Sequence, residues 1–233
     1  MAKPTLILVP GLLCDSALWA HQRLHLADVA ETWVADVTRE ETTAAMAEAV
    51  LAAAPADRFA LAGLSMGGYV ALEIIRQAPE RVTRLALLDT NARPDTEESK
   101  ARRRALIEES ELGDFKGVTK RLLGMFVHPD RLGDAALIDE VVAMTARVGK
   151  EAFVRQQRAI MSRRDARAWL GDIRVPTLAL VGRQDILTPL DLHEEIAARI
   201  ARAKLVTVEN SGHLTTMERP EAVSAVLRYW LQD

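Results

Sequence analysis

Along the 233-residue chain, short runs of almost continuous apolar or β-branched residues alternate with longer stretches whose apolar positions recur every three or four residues. The first kind fits strands buried on both faces, and the second fits helices with one buried face. The pattern predicts strands from Thr5 to Val9, Thr32 to Val37, Arg58 to Ala62, Arg84 to Leu88, Thr177 to Val181 and Lys204 to Val208. It predicts helices at about Ala17 to Asp28, Thr42 to Ala54, Met66 to Ala78, Leu190 to Ala201 and Pro220 to Leu231. This alternation belongs to the α/β class: a mostly parallel sheet flanked by helices, with the ligand site expected where the strands end.

One stretch departs from the alternation. From Pro94 to Leu170 there is no convincing strand, only charged, Leu- and Ala-rich helical sequence punctuated by Gly113, Gly124, Pro129, Gly133 and Gly149. The expected organisation is therefore a core from residues 1–93 and 171–233, with a helical cap, residues 94–170, inserted between two sheet strands.

Composition narrows the partners. A hydrophobic fraction of 49% with 27% charged residues is an ordinary globular balance, and a formal net charge of -3 gives no attraction to phosphate backbones or anionic lipid. Nucleic acid and membrane surfaces are not expected partners, whereas a small molecule is. The lone cysteine, Cys14, cannot form an intrachain disulfide, and the apolar run ending at Pro10-Gly11 is too short for a signal-peptide core, so a cytoplasmic location is expected.

The segment Gly63-Leu64-Ser65-Met66-Gly67-Gly68 lies between a predicted strand and a predicted helix. G-x-S-x-G in that context is a nucleophile elbow, a sharp turn that exposes the serine hydroxyl. A hydroxyl needs a base to become a good nucleophile, and imidazole suits that task near neutrality. Of five histidines, His213 in Asn210-Ser211-Gly212-His213-Leu214 follows the last predicted strand, on the edge from which Ser65 emerges. His21, His25 and His193 fall on helices, and His128 in the cap stays open as a pocket residue.

The acid that orients the base is expected at Asp185, just past the strand ending at Val181, with Asp89 at another strand end as its rival. Acyl transfer also needs two backbone N–H groups facing the developing oxyanion. Met66 and Leu12, the latter in the loop after the first strand, are expected to supply them. Trp19 and Tyr69 are candidates for the substrate pocket or for core packing. Cys14 reads as an inert thiol. No His, Cys or carboxylate cluster has metal-ligand spacing, so neither metal nor cofactor is expected. Arg102-Arg103-Arg104 and Arg163-Arg164 could pair with a substrate carboxylate, but helical charge runs commonly face solvent.

Pro10-Gly11-Leu12, Gly63-Leu64-Ser65-Met66-Gly67-Gly68, Gly182-Arg183-Gln184-Asp185 and Ser211-Gly212-His213 together resemble the ordered motifs of the α/β-hydrolases. The resemblance runs from Leu6 nearly to the C-terminus and is nearest to small carboxylesterases and enol-lactonases such as 3-oxoadipate enol-lactonase. It implies the α/β-hydrolase fold with the order Ser65, Asp185, His213, and hydrolysis of a small ester or lactone through an acyl-enzyme. A slow-turnover ligand receptor is the alternative of another class. Two departures stand out. Pro10-Gly11 replaces the His-Gly of many members, and the leading antiparallel strands usual in the fold are expected to be missing.

Overall fold

A computed structural model describes residues 3–113, 115, 117 and 122–233; part of the expected cap therefore lies outside the described residues. The strands are β1 (Thr5–Val9), β2 (Glu31–Val34), β3 (Phe59–Leu64), β4 (Val82–Leu88), β5 (Thr177–Gly182) and β6 (Ala203–Val208). They form one six-stranded sheet in the order β2-β1-β3-β4-β5-β6, with every pairing parallel. The helices are α1 (Ala20–His25), α2 (Thr43–Ala53), α3 (Met66–Gln77), α4 (Glu97–Leu112), α5 (Ala135–Ser162), α6 (Leu190–Arg199), α7 (Thr215–Glu218) and α8 (Pro220–Gln232).

Strand residues alternate between two apolar layers. Leu6, Leu8, Leu64, Leu88 and Leu180 pack with Trp19, Leu26, Val223, Leu227 and Trp230 on one face. Ile7, Val9, Leu61, Leu87 and Ala179 pack with Met46, Val50, Val70, Ile74 and Ile196 on the other. Burying both faces explains the near-continuous apolar runs in the sequence, each fully buried leucine contributing about 2 kcal/mol.

Two expected elements are shorter than the pattern predicts. The edge strand β2 stops at Val34, although Ala35 still donates its N–H to Leu8 O. The predicted Ala17 to Asp28 helix is a 3-10 turn, Ser16–Trp19, followed by the six-residue α1. Asp15 caps the turn by accepting the Ala17 N–H, and the bonds from Val29 and Ala30 N–H to Leu26 O then fold the chain back toward β2.

Among the described residues no strand interrupts the segment between β4 and β5. Its long helix α5 breaks at Gly149, whose φ of +79° lies in the left-handed region that glycine favours. The part after the break does not stand apart from the core: Ala159, Ile160, Ala166 and Leu170 are buried in the same layer as Ile7 and Leu61.

Candidate active site

Ser65 occupies the one-residue corner between β3 and α3, with φ +55° and ψ -116°, a conformation L-residues adopt only at a cost of about 1–3 kcal/mol. Two glycines make the corner possible. A Cβ on Gly63 would lie 2.2 Å from Gly67 O, and one on Gly67 would lie 2.1 Å from Val9 O. The corner is tied down by its own backbone, since Ser65 N–H donates to Leu88 O (3.0 Å) and Thr90 Oγ1 donates to Ser65 O (2.8 Å).

His213 and Asp185 come from the loops that follow β6 and β5. Those loops touch closely: a Cβ on Gly182 would lie 2.0 Å from Gly212 O, and Gln184 N–H donates to Ser211 O. His213 Nε2 lies 2.9 Å from Ser65 Oγ, and His213 Nδ1 lies 2.8 Å from Asp185 Oδ2. An ionised carboxylate only accepts, so Nδ1 carries the proton and Nε2 is left to accept the Ser65 hydroxyl. Asp185 also accepts from the backbone of Leu187 and Thr188 and from Thr188 Oγ1. Burial opposes its ionisation, but the charge and hydrogen bond of His213 and the Thr188 donors outweigh it, bringing the carboxyl down to about 2.

The histidine loop has a support that the sequence reading missed. Glu218 on α7 is fully buried and accepts the backbone N–H groups of Gly212, Leu214 and His128. Asp89, the rival acid, is fully buried too, with φ +44°. It accepts Gly182 N–H and both the N–H and hydroxyl of Thr215, so it stitches the end of β4 to β5 and to the start of α7. Burial, with the Asp185 charge nearby, raises its carboxyl well above the usual range.

His193 is buried behind the corner, where its Nε2 accepts Thr90 N–H at 2.9 Å. Burial lowers its pKa from 6.5 to about 4. The unfolded chain thus takes up this proton near pH 6.5 and the folded chain only near 4, so the stability that neutral His193 supports above 6.5 is lost as pH falls toward 4. Over that window the loss is expected to reach about 3 kcal/mol. Denaturant unfolding at pH 7 and pH 4.5 measures it: His193→Gln is expected to flatten the pH dependence, and an equal slope in both proteins would remove His193 as its source.

The loop after β1 passes against the serine, a Cβ on Gly11 lying 3.4 Å from Ser65 Cβ. Neither Leu12 N–H nor Met66 N–H, the latter at the first position of α3, finds an acceptor among the described residues. The neighbouring Leu13, at φ +57°, is fixed by Gln156 of α5, whose side-chain oxygen accepts Leu13 N–H (2.9 Å) while its amide donates to Val37 O (3.2 Å). Burial pushes the Cys14 thiol up to about 12, so it stays protonated and unreactive.

Ser65, His213, Leu12 and Tyr69 line a cavity of about 960 Å³. Its wall is apolar at Leu106, Phe115, Met125, Phe126, Met144 and Phe153, and carries Arg93, Arg102, Arg103 and Arg163 elsewhere. Two expected pocket residues are not there. Trp19 is fully buried in the apolar layer that packs on Leu6 and Leu8 and does not line the cavity. His128 turns back on its own chain, its Nδ1 accepting Asp130 N–H, and supports His213 only through backbone contacts. Among the described residues, no group of three or more His, Cys, Asp or Glu is placed to hold a metal, and no helix is long and apolar enough to cross a membrane.

A model of the "Alpha/beta hydrolase family" matches residues 6–226. A pimeloyl-[acyl-carrier protein] methyl ester esterase of Aromatoleum aromaticum is 28% identical over 200 residues, covering 81% of this chain and 80% of the relative. A thermophilic esterase of Thermogutta terrifontis, solved with malate bound, superposes with a TM-score of 0.91 at 28% identity, over 99% of this chain and 90% of that one. An enol-lactonase of Burkholderia xenovorans LB400 superposes at 0.84 over 100% and 93% of the two chains; at 21% identity that likeness is one of fold.

Proposed function

The chain belongs to the alpha/beta hydrolase family, and we propose that it hydrolyses small carboxylic esters through an acyl-enzyme on Ser65. The observation that carries the reading is the continuous contact from Ser65 Oγ to His213 Nε2 and from His213 Nδ1 to Asp185, on the wall of a cavity large enough for a small ester.

Ser65 Oγ attacks the ester carbonyl while His213 Nε2 takes its proton. The carbonyl oxygen becomes an alkoxide, which the N–H groups of Leu12 and Met66 receive, helped by the positive end of α3. Asp185, ionised throughout, stabilises the imidazolium and keeps the ring in its working tautomer. His213 then protonates the departing alcohol as the C–O bond breaks, leaving the acyl group on Ser65. Water attacks that ester and gives a proton to His213, which returns it to Ser65 Oγ as the second tetrahedral species collapses to the free acid and the free serine. The helical segment between β4 and β5 serves as the cap over this chemistry, and its apolar side chains set the room for the acyl group. Esterase relatives support the same reaction class.

The test is turnover of a short-to-long series of p-nitrophenyl esters. Hydrolysis with an optimum at one chain length is expected, because the cavity is finite. Absence of turnover on every ester, with intact folding, would move the protein to a ligand-binding role.

A further inference from the structure

One wall of the cavity that holds Ser65 is built around a buried carboxylate shared by two arginines. Asp95, with only 3% of its side chain exposed, accepts Arg103 Nε on Oδ2 (2.7 Å), and its Oδ1 forms an ion pair with Arg163 Nη1 (2.7 Å), which also donates to Ile160 O. Arg103 is fixed further by Gln157 Oε1 at 2.7 Å. Arg163, 9% exposed, donates Nε to Arg93 O and lies over the Tyr69 ring, its guanidinium carbon 4.3 Å from the centroid. Asp95, Arg103, Gln157, Arg163 and Tyr69 all line the cavity that holds Ser65 and His213.

The charges do not balance. One carboxylate neutralises one guanidinium, so this cluster carries an excess positive charge in a largely apolar enclosure. Among the described residues Arg102, on the same wall, is bonded only to the neutral Ser99 Oγ, Arg93 is held by Glu195, and the one other acid on the wall is the exposed Glu109. A desolvated excess charge is unfavourable unless something pairs with it. The geometry leaves room for a pair: Nη2 of Arg103 and Nη2 of Arg163 have no acceptor among the described residues, yet neither is among the unpartnered atoms sealed from solvent.

We propose that Arg103 and Arg163, aligned by Asp95, Gln157 and Tyr69, form a seat for a carboxylate at the far end of the substrate, so that the preferred substrates are half-esters of short dicarboxylic acids. The scale follows from α3, in which Tyr69 lies four residues, or ~6 Å of helix rise, beyond Ser65. Because the guanidinium above the Tyr69 ring and Ser65 line the same cavity of about 960 Å³, a short acyl chain is what joins a carboxylate on the one to an ester carbonyl at the other. The two Nη2 groups pair with a carboxylate more favourably than with a neutral amide because the bonds are charge-assisted.

The inference rests on the ester-hydrolase reading, and two measurements separate them. The first compares kcat/KM for monomethyl glutarate and monomethyl adipate with the same esters carrying a neutral terminal amide. The wild type is expected to favour the acids by about tenfold or more, the discrimination one or two charge-assisted bonds supply. Arg103→Lys and Arg163→Lys, which keep a charge beside Asp95 but lose the fork, are expected to bring that ratio toward one, with thermal melts checking the fold. The second is calorimetric binding of the same four compounds to Ser65→Ala, which needs no turnover. Tighter binding of the acids with no hydrolysis of any ester by the wild type would sustain the seat and sink the hydrolase reading. Hydrolysis without preference, together with equal binding of acid and amide, would overturn the seat and leave the hydrolase reading standing.

Discussion

Replacing Ser65 by alanine is expected to lower kcat/KM on a short p-nitrophenyl ester by about four orders of magnitude or more while leaving the fold intact. The hydroxyl is the only atom lost. The corner at Ser65 is held by the backbone bonds from Ser65 N–H to Leu88 O and from Thr90 Oγ1 to Ser65 O, neither of which involves the Ser65 side chain. The melting temperature should therefore move little, and the remaining rate should reflect the amides of Leu12 and Met66 acting on an uncatalysed attack by water. Matched steady-state rates and melting curves make the comparison. Equal turnover by both proteins would take the nucleophile's role away from Ser65.

The second large effect separates the two acids. Asp185→Asn is expected to reduce kcat by roughly three to four orders of magnitude, because an amide facing His213 Nδ1 can donate and favours the tautomer with the proton on Nε2. That nitrogen could then no longer accept from Ser65. Asp89→Asn, which alters contacts to Gly182 and Thr215, is expected to change stability more than rate. Kinetics and unfolding midpoints of the two variants, measured side by side, decide the matter; a rate loss from Asp89→Asn as large as that from Asp185→Asn would make Asp89 the orienting acid. With its carboxyl down at about 2, Asp185 is ionised wherever the enzyme is assayed. The stability its ionisation provides is present above the ordinary value of 3.8 and lost only as pH falls through 2.

The sheet was legible because burial on both faces writes itself into contiguous runs such as Leu6–Ile7–Leu8–Val9, whereas the first helix was overestimated because its end is set by the return of the chain to β2. The site was legible where chemistry demands local geometry. Gly63 and Gly67 flank Ser65 for steric reasons, and Gly182 and Gly212 announce two loops in contact. What stayed hidden is long-range. Gln156 meets Leu13 across 143 residues, and Glu218 meets His128 across 90, so no local pattern marks them; a glutamine between Phe153 and Ile160 in an apolar helix is the faint trace. Sequence alone leaves Trp19 open between pocket and core packing and His128 open as a pocket residue; Trp19 packs in the core and His128 bonds Asp130 N–H, and neither lines the cavity.

Gln156 gives the inserted segment a seam. Both sides of Gly149 contribute walls to the cavity, α4 and Met144 ahead of it and Phe153, Gln157 and Ile160 beyond it; beyond it, α5 also reaches the loop that carries Leu12. The first portion is tied to the site as well, since Phe126 O accepts His213 N–H and Arg147 pairs with Asp15, so an exchange meant to present a different acyl group has to keep those contacts. The second portion goes with the loop after β1, because a graft that discards Gln156 also discards the brace on Leu13. Two duties thus fall on adjacent residues of one helix turn: Gln156 braces Leu13, and Gln157 holds Arg103 on the cavity wall.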